Sequence, residues 1–209
     1  MDPILILIQI AVLLMSVVIH EVSHGLMANY LGDPTAKYAG RLNLNPLKHL
    51  DLWGSFLIPL FLLIFRSPFL FGYAKPVPYN PNNLRNKKWG PAMVAAAGPL
   101  SNLIIVLIFG LTLRFFPIGS SMYLDNLARV FIYIVILNLV LAVFNAMPIP
   151  PLDGSKIISA VLPYRYQTII TGMEKYGMIL VMFFVFFIFQ YITPVIFWFF
   201  KIIVGSRFI

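Results

Sequence analysis

The sequence predicts an all-α polytopic membrane protein, and three observations carry that prediction. Of the 209 residues 60% are hydrophobic and only 11% charged, with mean hydropathy +0.90, the profile of a membrane chain rather than a soluble domain. The apolar residues come in long runs, beginning with Ile4 to Ile19, where Gln9 and Ser16 are the only polar members. The fifteen Lys and Arg residues fall in the gaps between runs rather than along one amphipathic face. The net charge of +8 therefore fits topology and anionic lipid head groups, and no nucleic-acid partner is expected. One membrane-embedded domain over 1–209 accounts for the chain, and its oligomeric state is not legible.

The elements follow in order. The first span runs from about Ile4 to Leu31, roughly 42 Å at 1.5 Å per residue, and stops at Gly32-Asp33-Pro34. It is not expected to be a removable signal peptide, because it has Asp2 at its head and no basic n-region. From 35 to 90 the chain holds eight of the fifteen basic residues. Within it, Leu52 to Phe65 is fourteen residues broken by Pro59, a length that fits a re-entrant or interfacial segment better than a crossing. Tyr73 to Pro81 holds three prolines, at 76, 78 and 81, and is expected to be an extended ribbon near the membrane surface.

A further span covers about Pro91 to Phe116, with the small residues Ala95, Ala96, Ala97 and Gly98 allowing close helix approach. Asn102 within it must find a polar partner inside the bundle. The next runs from near Ala128 to Met147, with Asn138 and Asn145 sharing a face. Pro148 to Gly154 then unwinds the helix, and irregular backbone at membrane depth needs protein or a wet cavity around it. Ser155 to Lys175 suits interfacial helices, and a last span, about Tyr176 to Phe200, is expected to bend at Pro194.

His20-Glu21-Val22-Ser23-His24 ends the first apolar run. On a helix, residues four apart share a face, so two imidazoles point the same way with a carboxylate beside them. That is the HExxH pattern, which holds a divalent metal through neutral histidines and uses the glutamate on a water proton. The bland alternative is a pair of hydrogen-bonded histidines within a bundle. The chain has no cysteine, so a metal must use histidine and carboxylate. A catalytic zinc needs a third protein ligand. Asp153 is the best candidate, since it follows an apolar span in the proline-broken turn; its alternative is an N-cap role, and His49 is the spare histidine. If Leu52 to Phe65 returns to the side it left, the first and fourth segments run parallel and His20, His24 and Asp153 share a depth. That side then carries eleven basic residues against four, which by the positive-inside rule makes it cytoplasmic, with the N-terminus outside.

Taken together, the HExxH at 20–24, the stretch Ala97-Gly98-Pro99-Leu100-Ser101-Asn102, and the NxxPxPxLDG motif from Asn145 to Gly154 resemble the site-2 protease family of intramembrane zinc metalloproteases, peptidase family M50. The resemblance implies a three-helix catalytic core binding one zinc ion through His20, His24 and Asp153, with Glu21 as catalytic base. It implies that Asn145 helps hold unwound substrate, a contact extended here to Asn102. It further implies a transmembrane protein substrate within the bilayer, regulated intramembrane proteolysis and a cell-membrane location. The chain looks like a short form without the PDZ domain of many relatives. The ribbon at 74–79 is a candidate for binding unwound substrate by strand addition. His49 is open between a group behind the ligands, a turn residue and part of a gate. Two rivals stay open: a metal transporter, which has no need of Glu21, and a non-catalytic scaffold that binds membrane helices.

Overall fold

In the computed structural model the described residues are 3–51, 57, 61, 64, 75–115, 121–163, 170 and 172–205. Among them the chain is helical without a strand. Helix α1 covers Pro3–Tyr30, the single turn α2 Thr35–Tyr38, α3 Gly90–Arg114, α4 Met122–Asn145, α5 Asp153–Val161 and α6 Gly177–Val204. Four of these, α1, α3, α4 and α6, are long and apolar enough to cross a membrane, so the chain is an all-α polytopic membrane protein.

Helix α3 is the centre of the packing and touches α1, α4, α5 and α6. Its two faces explain why. Ala95, Gly98, Asn102, Val106, Gly110 and Leu113, spaced by three or four residues, are buried, whereas Leu100, Ile104, Leu107, Ile108 and Leu111 are exposed. Lipid tails are as apolar as leucine, so close approach of small residues and interhelical hydrogen bonds hold such helices together. At one end, Val106, Leu113, Val135, Leu139, Ile196 and Phe200 form an apolar core between α3, α4 and α6. Toward the other end the interhelical contacts turn polar.

Those polar contacts set the helix directions. Going up α1, His20 meets Asn102 and His24 meets Val94, so α3 runs antiparallel to α1. Ser16 meets Asn138 on α4, and His20, one turn further along α1, meets Asp153 beyond the end of α4, so α4 runs parallel to α1. The Arg85 N–H donates to the Leu31 carbonyl at 3.0 Å, so the segment after α1 leaves and re-enters the bundle at one end. This is the parity a shared metal requires. Leu52 to Phe65 itself, expected to be re-entrant, falls almost wholly outside the described residues.

Two boundaries differ from the sequence expectation. Helix α4 starts at Met122 rather than near Ala128, because Ser121 Oγ accepts from the Leu124 N–H at 3.3 Å and Asp125 sits in the first turn, both favourable at a helix N-terminus. Helix α6 continues to Val204 rather than ending near Phe200, with Pro194 inside it and a π-helical stretch at Phe184–Ile188.

Candidate metal centre

Because α1 is regular through 20–24, His20 and His24 stand one turn apart, their rings edge to face at 4.6 Å. Their Nε2 atoms are 3.0 Å apart, and Asp153 Oδ2 lies 3.1 Å from that of His20 and 3.2 Å from that of His24. Asp153 is the first residue of α5; the N-cap is Leu152 and no side chain caps the helix. The N-cap alternative therefore does not hold, and the carboxylate turns to the imidazoles instead. Gly154 makes that approach possible: a Cβ there would lie 2.1 Å from the Ala146 carbonyl oxygen, so α5 starts directly against the end of α4 only with glycine.

The three side chains are 8%, 13% and 12% exposed. Two imidazole nitrogens and a carboxylate oxygen converging in a sheltered site are all electron-pair donors, and a cation relieves their mutual repulsion. Ligand atoms about 2.0–2.2 Å from a tetrahedral zinc lie roughly 3.4 Å apart, within a few tenths of an ångström of these separations. The donor set and its spacing fit zinc. Among the described residues this is the group of His and carboxylate side chains close enough to hold an ion.

Helix α3 builds the back wall. A Cβ on Gly98 would fall 2.5 Å from Nε2 of both His20 and His24, so the α3 backbone passes directly behind the ligand atoms. From the same helix the Val94 carbonyl accepts from His24 Nδ1 at 2.7 Å, and Asn102 Oδ1 lies 2.6 Å from His20 Nδ1. Asn102 Nδ2 donates to Asn138 Oδ1 at 2.7 Å, and the residue is fully buried. Asn102, expected to contact substrate, therefore sits behind His20 with both ends of its amide engaged.

A cavity of about 610 Å³ opens onto the metal-ligand face. His20, Glu21, His24 and Asp153 form its polar floor, Asn145 and Lys156 contribute polar groups, and most of the remaining lining is apolar. Asn145, the last residue of α4, donates from Nδ2 to the Leu141 carbonyl at 2.9 Å. Lys156 Nζ lies over the Tyr79 ring at 5.7 Å, a cation–π contact that joins α5 to the chain segment at 75–80.

That segment carries a contact no sequence pattern indicated: the Val77 N–H donates to Glu21 Oε2 at 2.9 Å. Its backbone is fastened on both sides. The Lys75 N–H donates to the His49 carbonyl at 2.9 Å, and Arg41 donates to the carbonyls of Lys75 and Pro76. At the far end Asp33 accepts from the Asn80 N–H at 2.6 Å, from Asn83 Nδ2 at 2.8 Å, and from the Thr35 N–H and hydroxyl. Burial alone would raise the Asp33 pKa, but these hydrogen bonds outweigh it and hold the carboxyl below its ordinary value. Pro76 and Pro78 have no N–H, and those of Lys75, Val77 and Asn80 are donated inward. Strand addition therefore finds few backbone donors here, and any pairing of this segment with substrate falls mainly to its carbonyls. His49 is nearly fully buried, donates from Nε2 to the Asn43 carbonyl at 2.7 Å and belongs to the ribbon's anchor rather than to the donor cluster.

Comparison with known proteins bears on the family of the chain. The sequence matches peptidase family M50 over residues 8–122 and 117–189. It is 38% identical over 186 residues to the candidate zinc metalloprotease YwhC of Bacillus subtilis, covering 87% of this chain and 78% of that one. It is 28% identical over 199 residues to the candidate zinc metalloprotease Rip2 of Mycolicibacterium smegmatis, covering 94% and 71% respectively. A shorter match, 33% over 79 residues, joins 38% of this chain to 22% of zinc metalloprotease MJ0392 of Methanocaldococcus jannaschii. No solved structure matches the chain at a significant level.

Proposed function

The chain belongs to peptidase family M50 and is a membrane metalloprotease, and from that premise we propose that it hydrolyses peptide bonds within or beside the transmembrane helices of membrane-protein substrates, in regulated intramembrane proteolysis. The observation that carries the proposal is the convergence of His20, His24 and Asp153, with Glu21 beside them, on the floor of a largely apolar cavity between membrane-length helices. A site for soluble peptides has no reason to stand behind lipid-facing helices. We assign the metal-ligand roles to His20, His24 and Asp153 and the base to Glu21.

Bound zinc supplies Lewis acidity to the scissile carbonyl and to the attacking water. The rest falls to the chain's own side chains. Val77 holds Glu21 Oε2, so Oε1 is the oxygen that takes the water proton and returns it to the leaving amine. Asn145, oriented by its bond to Leu141, offers Oδ1 and one N–H to an unwound substrate backbone, whose groups have lost their helical partners. Asn102 orients His20 rather than meeting substrate. With eleven of the fifteen basic residues assigned to the side that α1 reaches, the site lies nearer the cytoplasm and the N-terminus outside, in the cell membrane.

The test is purified protein in detergent with single-span membrane substrates, run beside a zinc-chelated sample and Glu21→Gln. Cleavage is expected in the native sample alone. Turnover persisting in both controls removes the metalloprotease mechanism, and metal flux across vesicles that survives Glu21→Gln favours a transporter.

A further inference from the structure

The two histidines receive their orientation in different ways. Neutral imidazole carries one N–H and one lone pair, so a metal at Nε2 requires the proton at Nδ1. His24 Nδ1 faces the Val94 backbone carbonyl at 2.7 Å. A carbonyl only accepts, so the tautomer of His24 is settled by backbone. His20 Nδ1 faces the side-chain amide of Asn102 at 2.6 Å. An amide can present either its oxygen or its nitrogen, so Asn102 by itself leaves the His20 tautomer undetermined.

Resting on the metalloprotease reading, we infer that Asn138, anchored by the Ile134 carbonyl and Ser16, forms a polarity relay through Asn102 that fixes the His20 tautomer and thereby sets metal affinity. Each link is forced by the one before. Asn138 lies 2.9 Å from the Ile134 carbonyl and 3.0 Å from Ser16 Oγ. Facing that carbonyl it must use its NH2 group, since its oxygen there would meet another acceptor. Its Oδ1 then points to Asn102, 2.7 Å away, which must answer with Nδ2. Asn102 Oδ1 is left for His20, whose Nδ1 must carry the proton, and Nε2 presents its lone pair among the donor atoms. Asn102 and Asn138 are fully buried and Ser16 nearly so, so water does not reorient the amides. The relay starts on α1 at Ser16 and returns to α1 at His20 through α4 and α3. It binds the three core helices at one level and makes metal affinity depend on their register. Groups behind metal-bound histidines act in this way generally; here the anchor sits two residues removed from the ligand, so Asn138 and Ser16 are positioning residues.

The experiment reads tautomers directly by nitrogen NMR of 15N-histidine-labelled full chain in detergent without metal, and zinc affinity by competition with a chromogenic chelator. In the native protein His20 and His24 are expected as Nδ1–H. In Asn138→Leu, Asn102 is free to turn; the His20 proton moves toward Nε2 and zinc binding weakens about 10–100-fold, while His24 is unchanged. The double variant Asn102→Asp with Asn138→Leu restores Nδ1–H on His20 and recovers most of the affinity, because a carboxylate has no donor face to turn. Asn138→Leu with the His20 proton still at Nδ1 and native zinc affinity overturns the relay, as does failure of the double variant to restore the proton. If Asn138→Leu also disturbs His24, the bundle itself has moved, and the isosteric Asn138→Asp decides: with an acceptor still facing Asn102 Nδ2 the relay keeps Nδ1–H on His20, and Nε2–H there overturns it. Native protein that binds no zinc overturns the metalloprotease reading instead, and the tautomers of the metal-free protein still report on the relay.

Discussion

The backbone N–H of Val77 donates to Oε2 of Glu21 at 2.9 Å, across 56 residues of sequence. A glutamate on a helix has three side-chain torsions to hold, and α1 alone does not hold them. The segment that supplies the donor is itself pinned by Arg41 and the His49 carbonyl before Val77 and by Asp33 after it. The proposed base is therefore positioned by a ribbon anchored outside the helix that carries it.

Val77→Pro removes this donor while keeping an extended backbone. A hydrogen bond to a charged group contributes about 1.5–3 kcal/mol, so kcat is expected to fall roughly 10–100-fold with KM little changed. Val77→Ala, which keeps the N–H, should stay near native. Steady-state kinetics on one substrate separates the two variants, and an unchanged kcat in Val77→Pro would show that the base needs no help from the ribbon.

What was legible in the sequence follows from how local each signal is. The HExxH pair is local, since helical periodicity alone puts His20 and His24 on one face. Asp153 was reachable because prolines 148, 150 and 151 break the helix and because Leu52 to Phe65, fourteen residues broken by Pro59, is too short to be expected to cross. The Val77 contact left no trace, as a backbone donor has no residue type to mark it. Asn102 was recognisable as a buried polar group, but composition does not say which way an amide points, and it turned toward His20 rather than toward the cavity. The start of α4 was misplaced because Asp125 and Asn126 interrupt the apolar run, although Ser121 is a normal N-cap.

Gly98 sets a steric limit on the site. An added Cβ would lie 2.5 Å from His20 and His24 Nε2, so Gly98→Ala must push the imidazoles apart or displace α3. Overpacking of this kind costs about 1–3 kcal/mol, and a matching loss of about 10–100-fold in zinc affinity is expected. Isothermal titration or chelator competition checks it. A full equivalent of zinc bound at native affinity by Gly98→Ala would mean that the metal does not sit against this wall.

Glu21 and Asp153 should separate chemistry from binding. Glu21→Gln is expected to retain one zinc per chain and lose activity by about 10²–10⁴-fold, the usual reach of general acid–base catalysis. Asp153→Ala should lose both the metal and the activity. Metal analysis beside a cleavage assay gives the answer, and native zinc content in Asp153→Ala would send the third ligand elsewhere.

The last expectation concerns acid. Asp33 is held below the ordinary carboxyl pKa by its hydrogen bonds to Thr35, Asn83 and Asn80, so its folded-state pKa is lower than its unfolded one. Such a group stabilises the fold fully above the unfolded value, about 3.9, and loses that contribution as pH falls through the folded value. The clamp on the ribbon should thus be constant from pH 7 to about pH 5 and weaken below about pH 4. Other carboxylates titrate in the same range, so the difference between two proteins is the useful quantity. Asp33→Asn should melt below the native protein at pH 7, and the gap should narrow as both are acidified toward pH 3, because protonation removes from the native chain what the substitution has already removed. Thermal unfolding in detergent across that range reads the gap directly. A gap that stays constant with pH would show that the clamp works through shape alone, with no contribution from the charge on Asp33.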